Sequence, residues 1–364
     1  MKTVKWLFLA SLVLVFAQCK PVEPSSESEK KTVKNVILMI GDGMGVGQVY
    51  AGITANHNKL NLERAQYIGF SKTYSANDYV TDSAAGGTAI ACGEKTNNGV
   101  IGLSKDSLPI KSLLAHAAEN NLSTGVVVSC ELTHATPASF IAHQINRNMN
   151  KEIAADYLNI PFTVAIGGGR NHFEKREDGR NLTEELRTND YQVAYTMDEM
   201  KAIKSGKMIA LLADGHPSAY PERGELLPEG VATALDILSQ NKDGFFLMVE
   251  GSQIDWGGHS NDTEVIVNEM LDFNKAISVA YDFADNNPGT LVVITADHET
   301  GGMSLLGGDF SSGIVSAKYT TGGHSGVMVP VFAYGTGAED FTGIYENTYI
   351  LGKVLNLYGF SLDK

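Results

Sequence analysis

Short apolar runs alternate with longer amphipathic segments along most of this chain. Seven runs of strand length occur after residue 35, several of them apolar at consecutive positions, as is typical of strands buried on both faces: residues 36–40, 125–128, 162–166, 208–212, 245–249, 291–295 and 329–333. Helical periodicity predicts five helices between them, over residues 110–120, 137–148, 230–240, 263–283 and 348–358. This alternation predicts an α/β fold, a three-layer sandwich with a mostly parallel central sheet and helices on both faces.

The first residues follow a different pattern. Lys2 and Lys5 precede an apolar run over residues 6–17, which is too short to span a bilayer and is typical of a secretory signal peptide. We therefore predict a signal peptide over residues 1–18, a polar tether over 19–34 and one catalytic domain over 35–364.

The residues around Cys19 resemble a bacterial lipoprotein cleavage site, with Gln18 standing where a small residue is expected. A lipid on Cys19 would anchor an exported chain, in the periplasm or at the outer membrane. A plain cleaved signal with an incidental cysteine is the alternative.

Composition narrows the choice of partners. The 28 Lys and Arg against 42 Asp and Glu give a formal charge of −14, which argues against nucleic acid as a binding partner. Cys92 and Cys130 could pair or remain free thiols, and their spacing favours neither.

Acidic residues stand where three predicted strands end. The run 36–40 leads to Asp42, the run 245–249 to Glu250, and the run 291–295 to Asp297 and His298. The carboxyl ends of parallel strands meet at one edge of a sheet, so these side chains are expected to lie together. A single Asp after a strand is often only a turn residue, but three carboxylates need a further explanation.

Metal ions provide that explanation. Asp255 and His259 follow Glu250 closely, and carboxylate and imidazole are the ligands of catalytic zinc. Gathering these carboxylates without cations would be very costly, so more than one divalent ion is expected.

Two further segments carry candidate chemistry. Ser83 stands near the start of a predicted helix, where free N–H groups favour an anion, although Asp82 or Ser83 could simply be an N-cap. In the predicted helix that starts at Thr136, residues Thr136, His143 and Arg147 would share one face, and Arg147 could hold a phosphate or carboxylate.

The motifs together resemble the alkaline phosphatase family. They occur in family order and cover nearly the whole chain after residue 35: the segments 40–45, 81–85, 134–137, 143–147, 250–259, 295–298 and 323–326. The resemblance implies hydrolysis of phosphate monoesters through a phosphoserine on Ser83, with Arg147 holding the phosphate. A homodimer is one option that it leaves open.

The resemblance also implies a set of metal ligands. One zinc ion would be held by Asp255, His259 and His324, and a second by Asp42, Asp297 and His298. One magnesium ion would lie near Asp42, Thr136 and Glu250.

Two positions near the site vary within the family. His134 and Trp256 stand where one branch has Asp and Lys, and the His/Trp pair is similar to that of marine bacterial members. A histidine in place of a carboxylate removes negative charge beside the third site, so we expect magnesium to be lost more readily than zinc. His143 is assigned to packing or orientation, and four other histidines are assigned no role in the site: His57, His116, His172 and His216.

The motifs are also compatible with two other interpretations. The nearer is a phosphodiesterase or sulfatase of the same superfamily, although the C/S-x-P-x-R context of a sulfatase is absent around Ser83. The remoter is a non-catalytic surface lipoprotein that captures phosphate or metal.

Overall fold

The computed structural model of the chain describes residues 33–361, which contain fourteen strands and twelve α-helices. The strands are β1 Asn35–Gly41, β2 Tyr67–Lys72, β3 Ser123–Glu131, β4 Val164–Gly168, β5 Tyr191–Ala194, β6 Lys207–Leu211, β7 Phe245–Gly251, β8 Thr290–Thr295, β9 Glu299–Thr300, β10 Ser304–Asp309, β11 Ile314–Lys318, β12 His324–Ser325, β13 Val329–Gly335 and β14 Gly343–Glu346. The helices are α1 Val46–Ala55, α2 Ser83–Cys92, α3 Leu113–Glu119, α4 Ala135–Ile141, α5 Asn150–Asp156, α6 Arg170–Glu174, α7 Leu182–Thr188, α8 Met197–Ala202, α9 Leu226–Leu238, α10 Ile254–Ser260, α11 Thr263–Asn286 and α12 Tyr349–Tyr358. The predicted signal peptide, Cys19 and most of the predicted tether lie outside the described residues.

Ten strands form one sheet, in the order β14-β2-β13-β8-β1-β7-β3-β4-β6-β5. All neighbours are parallel except for β13, which runs antiparallel to both β2 and β8. The prediction of a mostly parallel sheet is confirmed. The strands β8, β1 and β7 lie side by side at its centre, so the ends of three apolar runs meet at one edge.

Helices cover both faces of this sheet. Along β1, Val36, Leu38 and Ile40 pack among side chains of α2, α3, α4 and α12, whereas Ile37 and Met39 pack on the opposite face with α9 and α11. Each of these five side chains is completely buried. Burying one aliphatic side chain contributes about 2 kcal/mol, so the centre of the sheet is a rigid support for whatever its strand ends carry.

One predicted helix is wrong over half of its length. The segment 137–148 was expected to be helical, but α4 ends at Ile141, and the backbone of Gln144 instead exchanges two hydrogen bonds with Ile101, at 2.8 and 2.9 Å. Because the chain leaves the helix there, His143 and Arg147 do not share a helical face with Thr136. The helix also begins at Ala135, with His134 as the N-cap residue, one residue before the predicted start at Thr136. Pro137 is tolerated because N–H groups in the first turn have no partner within the helix.

Cys92 and Cys130 are both buried and free, so they do not form a disulfide. None of the helices in the part of the chain that the structure describes is long and apolar enough to cross a membrane.

Candidate metal centre and nucleophile

The centre lies at the carboxyl edge of the three central strands. Asp42 follows β1 directly, Glu250 is the last residue but one of β7, and Asp297 and His298 follow β8. All four side chains are completely buried. Asp297 and His298 lie just beyond the end of β8, where the strand gives way to a loop.

Asp255, His259 and His324 form a first group of ligand atoms. His259 Nε2 lies 3.4 Å from Asp255 Oδ2, and His324 Nε2 lies 3.5 Å from Asp255 Oδ1. The two Nε2 atoms are 3.2 Å apart. Asp255 and His259 are brought together by α10, where they stand four residues apart on one face.

Backbone carbonyls set the orientation of both histidines. His259 Nδ1 donates to Gly322 O at 2.8 Å, and His324 Nδ1 donates to Thr81 O at 2.8 Å. Each Nε2 therefore presents a lone pair toward Asp255, which is the arrangement of metal-ligating histidines. Burial lowers the pKa of His324 to about 4, which keeps this imidazole neutral and able to bind a metal.

Asp42, Asp297 and His298 form a second group. His298 Nε2 lies 3.2 Å from Asp297 Oδ2 and 3.4 Å from Asp42 Oδ1. The hydroxyl of Thr300 donates to Asp255 and so accepts from His298 Nδ1, at 3.2 Å. Thr300 thus connects the two groups and directs His298 Nε2 toward the carboxylates. Sequence reasoning missed this residue because a threonine after a strand has no distinctive signal.

The negative charges of the buried carboxylates in and around the second group require cations to balance them. Burial, together with the carboxylates of Asp297, Asp255 and Glu250, raises the pKa of Asp42 well above its usual range. Burial likewise raises the pKa of Glu250 to about 7. Although burial opposes it, the imidazole of His298 lowers the pKa of Asp297 to about 2. Neither oxygen of Asp42 accepts a hydrogen bond, so divalent cations would satisfy both its charge and its lone pairs.

Ser83 stands beside the second group, at the first position of α2. Its Oγ lies 3.2 Å from His298 Nε2. Asp82 is the N-cap of the helix and accepts from Ala85 N at 2.9 Å, so the cap is Asp82 and the Ser83 hydroxyl is left for other chemistry. Ser83 is buried, with 2% of its surface exposed.

Arg147 reaches this edge from a loop. Its Nη1 donates to Asp82 Oδ2 at 3.0 Å, and the same oxygen accepts from Gly99 N at 2.9 Å. Arg147 N in turn donates to Gly99 O at 2.8 Å. Asp82 therefore caps α2 and also orients the guanidinium. His143, in contrast, is directed away, with Nδ1 at 2.7 Å from Gly102 O.

A third group lies on the other side of Glu250. Cys130, His134 and Glu250 each offer a ligand atom, and these atoms lie within 4.8 Å of one another. Thr136, in the first turn of α4, is also completely buried. Burial, with a further contribution from Arg147, lowers the pKa of His134 to about 3. Cys130 was not expected at the site, because its place on β3 becomes adjacent to Glu250 only through strand pairing.

Trp256 and His216 form the outer wall of the third group. The ring of His134 lies 6.3 Å from that of Trp256 and 5.7 Å from that of His216, measured between centroids. His216 and Trp256 are 4.8 Å apart, edge to face. His216, to which the sequence assigns no role in the site, is brought beside these rings by the loop after β6. His172 is connected to this outer wall through Glu131: its Nε2 lies 3.2 Å from Glu131 Oε2.

Comparisons with known proteins agree with this geometry. The family model described as alkaline phosphatase matches residues 33–318. Alkaline phosphatase 4 of Bacillus subtilis (strain 168) is 33% identical, covering 93% of this chain and 92% of its own.

Solved structures give the same result. The alkaline phosphatase from the Antarctic bacterium TAB5 is 41% identical with a TM-score of 0.87, over 91% of this chain and all of that one. A variant of that enzyme, with one histidine replaced by aspartate and magnesium bound in its M3 site, is 40% identical with a TM-score of 0.86, over 92% of this chain and all of the other.

Proposed function

The chain belongs to the alkaline phosphatase family and is a metal-dependent hydrolase of phosphate monoesters, and from that premise we propose that Ser83 is the nucleophile and becomes a phosphoserine. The observation that supports this assignment is the position of Ser83 Oγ, 3.2 Å from His298 Nε2 at the start of α2. The hydroxyl lies next to a group of metal ligands, where a bound cation can activate it without a general base.

Two zinc sites fit the residues present. Asp255, His259 and His324 would hold one ion, and Asp42, Asp297 and His298 the other. Opposed Nε2 lone pairs 3.2 Å apart in the first group and an unpaired carboxylate in the second are both arrangements that a cation stabilises. When bound, the two ions would activate the serine hydroxyl and a water molecule and balance charge on the phosphate.

For the third cation, the family resemblance implies magnesium near Asp42, Thr136 and Glu250. These residues supply oxygen atoms, which magnesium prefers. Magnesium in the M3 site of the TAB5 variant supports a third cation position in this family. Cys130 and His134 face the same carboxylate, however, and they are not magnesium ligands.

The proposed reaction consists of two successive displacements at phosphorus. In the first, Ser83 Oγ forms a bond to phosphorus while the bond from phosphorus to the ester oxygen breaks, and the alcohol leaves with a proton. In the second, water attacks phosphorus, the bond to Oγ breaks, and inorganic phosphate is released with Ser83 restored. Arg147, held by Asp82, would bind phosphate oxygens in both steps. Trp256 carries no charge, so the only polar contact that it can make with a phosphate or a water molecule at this edge is through its indole N–H.

Substitution of Ser83 tests the proposal. We expect Ser83→Ala to lose roughly 10⁴-fold or more in kcat, because the nucleophile is absent, while its bound metals are retained. Turnover of p-nitrophenyl phosphate and metal analysis of the same sample are the measurements, with the exposed Ser311→Ala as a control. Full activity of the metal-loaded Ser83→Ala variant would show that the mechanism is wrong.

Three chromogenic esters measure the specificity within the superfamily. We expect p-nitrophenyl phosphate to be hydrolysed well, and bis-p-nitrophenyl phosphate and p-nitrophenyl sulfate poorly. Faster turnover of the diester or sulfate would favour the phosphodiesterase or sulfatase reading, and chelator-insensitive phosphate capture without turnover would favour the non-catalytic one.

We further propose that the chain is exported, loses residues 1–18 and is anchored through a lipid on Cys19, in the periplasm or at the outer membrane. The basic start, the short apolar run and the cysteine at its end support this proposal. Detergent phase partition of the expressed protein tests it: the wild type should enter the detergent phase and Cys19→Ser should not. Equal partition of the two would favour a plain cleaved signal.

A homodimer is also proposed, on the family resemblance alone. Sedimentation equilibrium of the metal-loaded protein should give twice the mass of one chain, and the mass of one chain would refute the proposal.

A further inference from the structure

A thiol lies beside the third group of metal ligands, and the family resemblance assigns it no role. Cys130 is the last residue but one of β3, and Glu250 holds the same place on β7. The two strands are parallel neighbours, with Val128 opposite Glu250. Because Cys130 lies two residues beyond Val128, it faces the same side of the sheet and reaches the carboxylate.

The separation of the two donor atoms fits a shared cation. Cys130 Sγ lies 3.3 Å from Glu250 Oε2. Zinc binds sulfur at about 2.3 Å and carboxylate oxygen at about 2.0–2.2 Å, so tetrahedral geometry would separate the two donors by roughly 3.5 Å. A ligand atom of His134 lies within 4.8 Å of both. A small movement of one imidazole would complete the set.

Burial and unmet hydrogen bonding also point to a ligand. Cys130 and Glu250 are completely buried. His134 Nδ1 is buried and has no hydrogen-bond partner. An imidazole nitrogen without a partner and a buried thiol next to a buried carboxylate form a typical set for a transition metal.

The chemistry of these donors selects against magnesium. Magnesium takes oxygen ligands in near-octahedral geometry and keeps several waters, for which a thiol and an imidazole are poor substitutes. Zinc and cobalt accept sulfur, nitrogen and oxygen together. On binding, the cation displaces the thiol proton, which passes to solvent.

We propose that Cys130, His134 and Glu250 form a thiolate-containing third site that takes Zn²⁺ or Co²⁺ in preference to Mg²⁺. The inference refines the proposed function, with which it shares Glu250, but it does not depend on Ser83 or on turnover. The competing explanation is that Cys130 only donates a hydrogen bond, to Glu250 Oε2 or to Glu131 O, each 3.3 Å away.

The metal content of the purified protein distinguishes a thiolate ligand from a thiol that only donates a hydrogen bond. After dialysis of the purified holoenzyme against equal concentrations of zinc and magnesium, we expect three zinc ions per chain and little magnesium. Cys130→Ala should hold two zinc ions and admit one magnesium ion. Cys92→Ala removes the other free thiol among residues 33–361, which is also buried, and should keep three zinc ions. Equal zinc-to-magnesium ratios in the wild type and Cys130→Ala would overturn the proposal.

Cobalt gives a readout that does not depend on activity. The cobalt-loaded wild type should show a thiolate-to-cobalt charge-transfer band in the near ultraviolet, which Cys130→Ser loses and Cys92→Ser keeps. Absence of the band from the fully loaded wild type would refute a thiolate ligand even if the Cys130 variants do not fold.

The same measurements separate this proposal from the proposed function. The Ser83→Ala variant should keep both the third zinc ion and the cobalt band. Turnover by Ser83→Ala would therefore contradict the assignment of the nucleophile and leave the assignment of Cys130 standing. A missing cobalt band would contradict the assignment of Cys130 and leave that of Ser83 standing.

Discussion

Asp82 shows how one side chain can serve both the fold and the site. One of its oxygens caps α2 and the other holds Arg147, so a single carboxylate couples the position of Ser83 to that of the guanidinium. Asparagine is as good a helix cap as aspartate but lacks the charge. The two roles can therefore be separated by one substitution.

We predict that Arg147→Ala raises the inhibition constant of inorganic phosphate by about 10- to 100-fold, because charge-assisted hydrogen bonds to the anion are lost. Asp82→Asn should raise it less, by about 3- to 10-fold, since the guanidinium remains but is held less firmly. Competitive inhibition assays measure both constants. An unchanged constant in Arg147→Ala would mean that Arg147 does not bind phosphate.

Gly43, the residue after Asp42, has a φ of +74° and lies against the first group of ligands. A Cβ atom there would come within 2.8 Å of Asp255 Cα and of Thr300 Oγ1. Backbone conformation and close approach both require glycine at this position.

We predict that Gly43→Ala weakens zinc binding by about 10- to 100-fold, because Asp255 and Thr300 must move. Gly99→Ala is the matched control: its φ is +85°, but a Cβ atom there would meet nothing within 4 Å. Both variants should lose about 1 kcal/mol of stability to backbone strain, and only Gly43→Ala should lose zinc. Titration with a zinc indicator makes the comparison, and equal zinc affinity in the two variants would contradict it.

At the scale of elements, the strands at the centre of the sheet could be predicted from the sequence, and the strands at its edges could not. The runs that became β1, β7 and β8 are apolar at consecutive positions because both faces of the sheet are covered, and that pattern is visible in sequence. The edge strand β14 and its neighbour β2 were missed because they carry exposed residues such as Ile344 and Ile68 among their buried ones.

The end of α4 depends on a contact that sequence does not display. The backbone pairing of Gln144 with Ile101 stops the helix and redirects the chain toward Asp82. Local periodicity cannot report a partner more than forty residues away. The metal ligands at the strand ends were predictable because they closely follow apolar runs that are visible in the sequence. Thr300, Cys130 and His216 were not, because they reach the site through tertiary contacts.

A buried ion triad attaches the loop before α9 to α11. Arg223 donates to both Glu269 and Asp272, and all three side chains are nearly or completely buried. Burial raises the pKa of Asp272 to about 6, although Arg223 opposes the shift. Between about pH 4 and pH 6 the folded state therefore binds more protons than the unfolded state, so this group makes stability fall as pH rises.

We predict that Asp272→Asn removes this pH dependence. The free energy of unfolding of the variant, measured relative to the wild type in denaturant at matched zinc, should rise by up to about 3 kcal/mol between pH 4 and pH 7. Asp282→Asn alters an exposed carboxylate on the same helix and should show a nearly constant difference. Parallel curves for Asp272→Asn and the wild type would contradict the prediction.

For the whole molecule, metals are part of the fold as well as of the reaction. Four carboxylates meet in the buried centre, and they are among the 42 acidic residues that give the chain its formal charge of −14. Removing the cations leaves that repulsion unbalanced.

We predict that chelation lowers the melting temperature by roughly 10 °C or more, since each ion at a thousandfold excess over its dissociation constant contributes about 4 kcal/mol. Calorimetry with zinc and magnesium, compared with calorimetry after chelation, measures the change. Ser83→Ala keeps every proposed ligand and should show the same difference. A melting temperature unaffected by chelation would indicate that the centre is stable without cations.

The sheet order has a further consequence for how the protein acquires its metals. One group of ligands joins Asp42 to Asp297 and His298, and the other joins Asp255 and His259 to His324. Neither group can close until a ribosome has synthesised most of the chain, and β1 must wait for β7 and β8 before it has either central neighbour. Such long-range pairing is slow to form. Metal uptake should thus be a late event in biogenesis, in which the availability of zinc at the place of folding, more than at the place of synthesis, determines the yield of active enzyme.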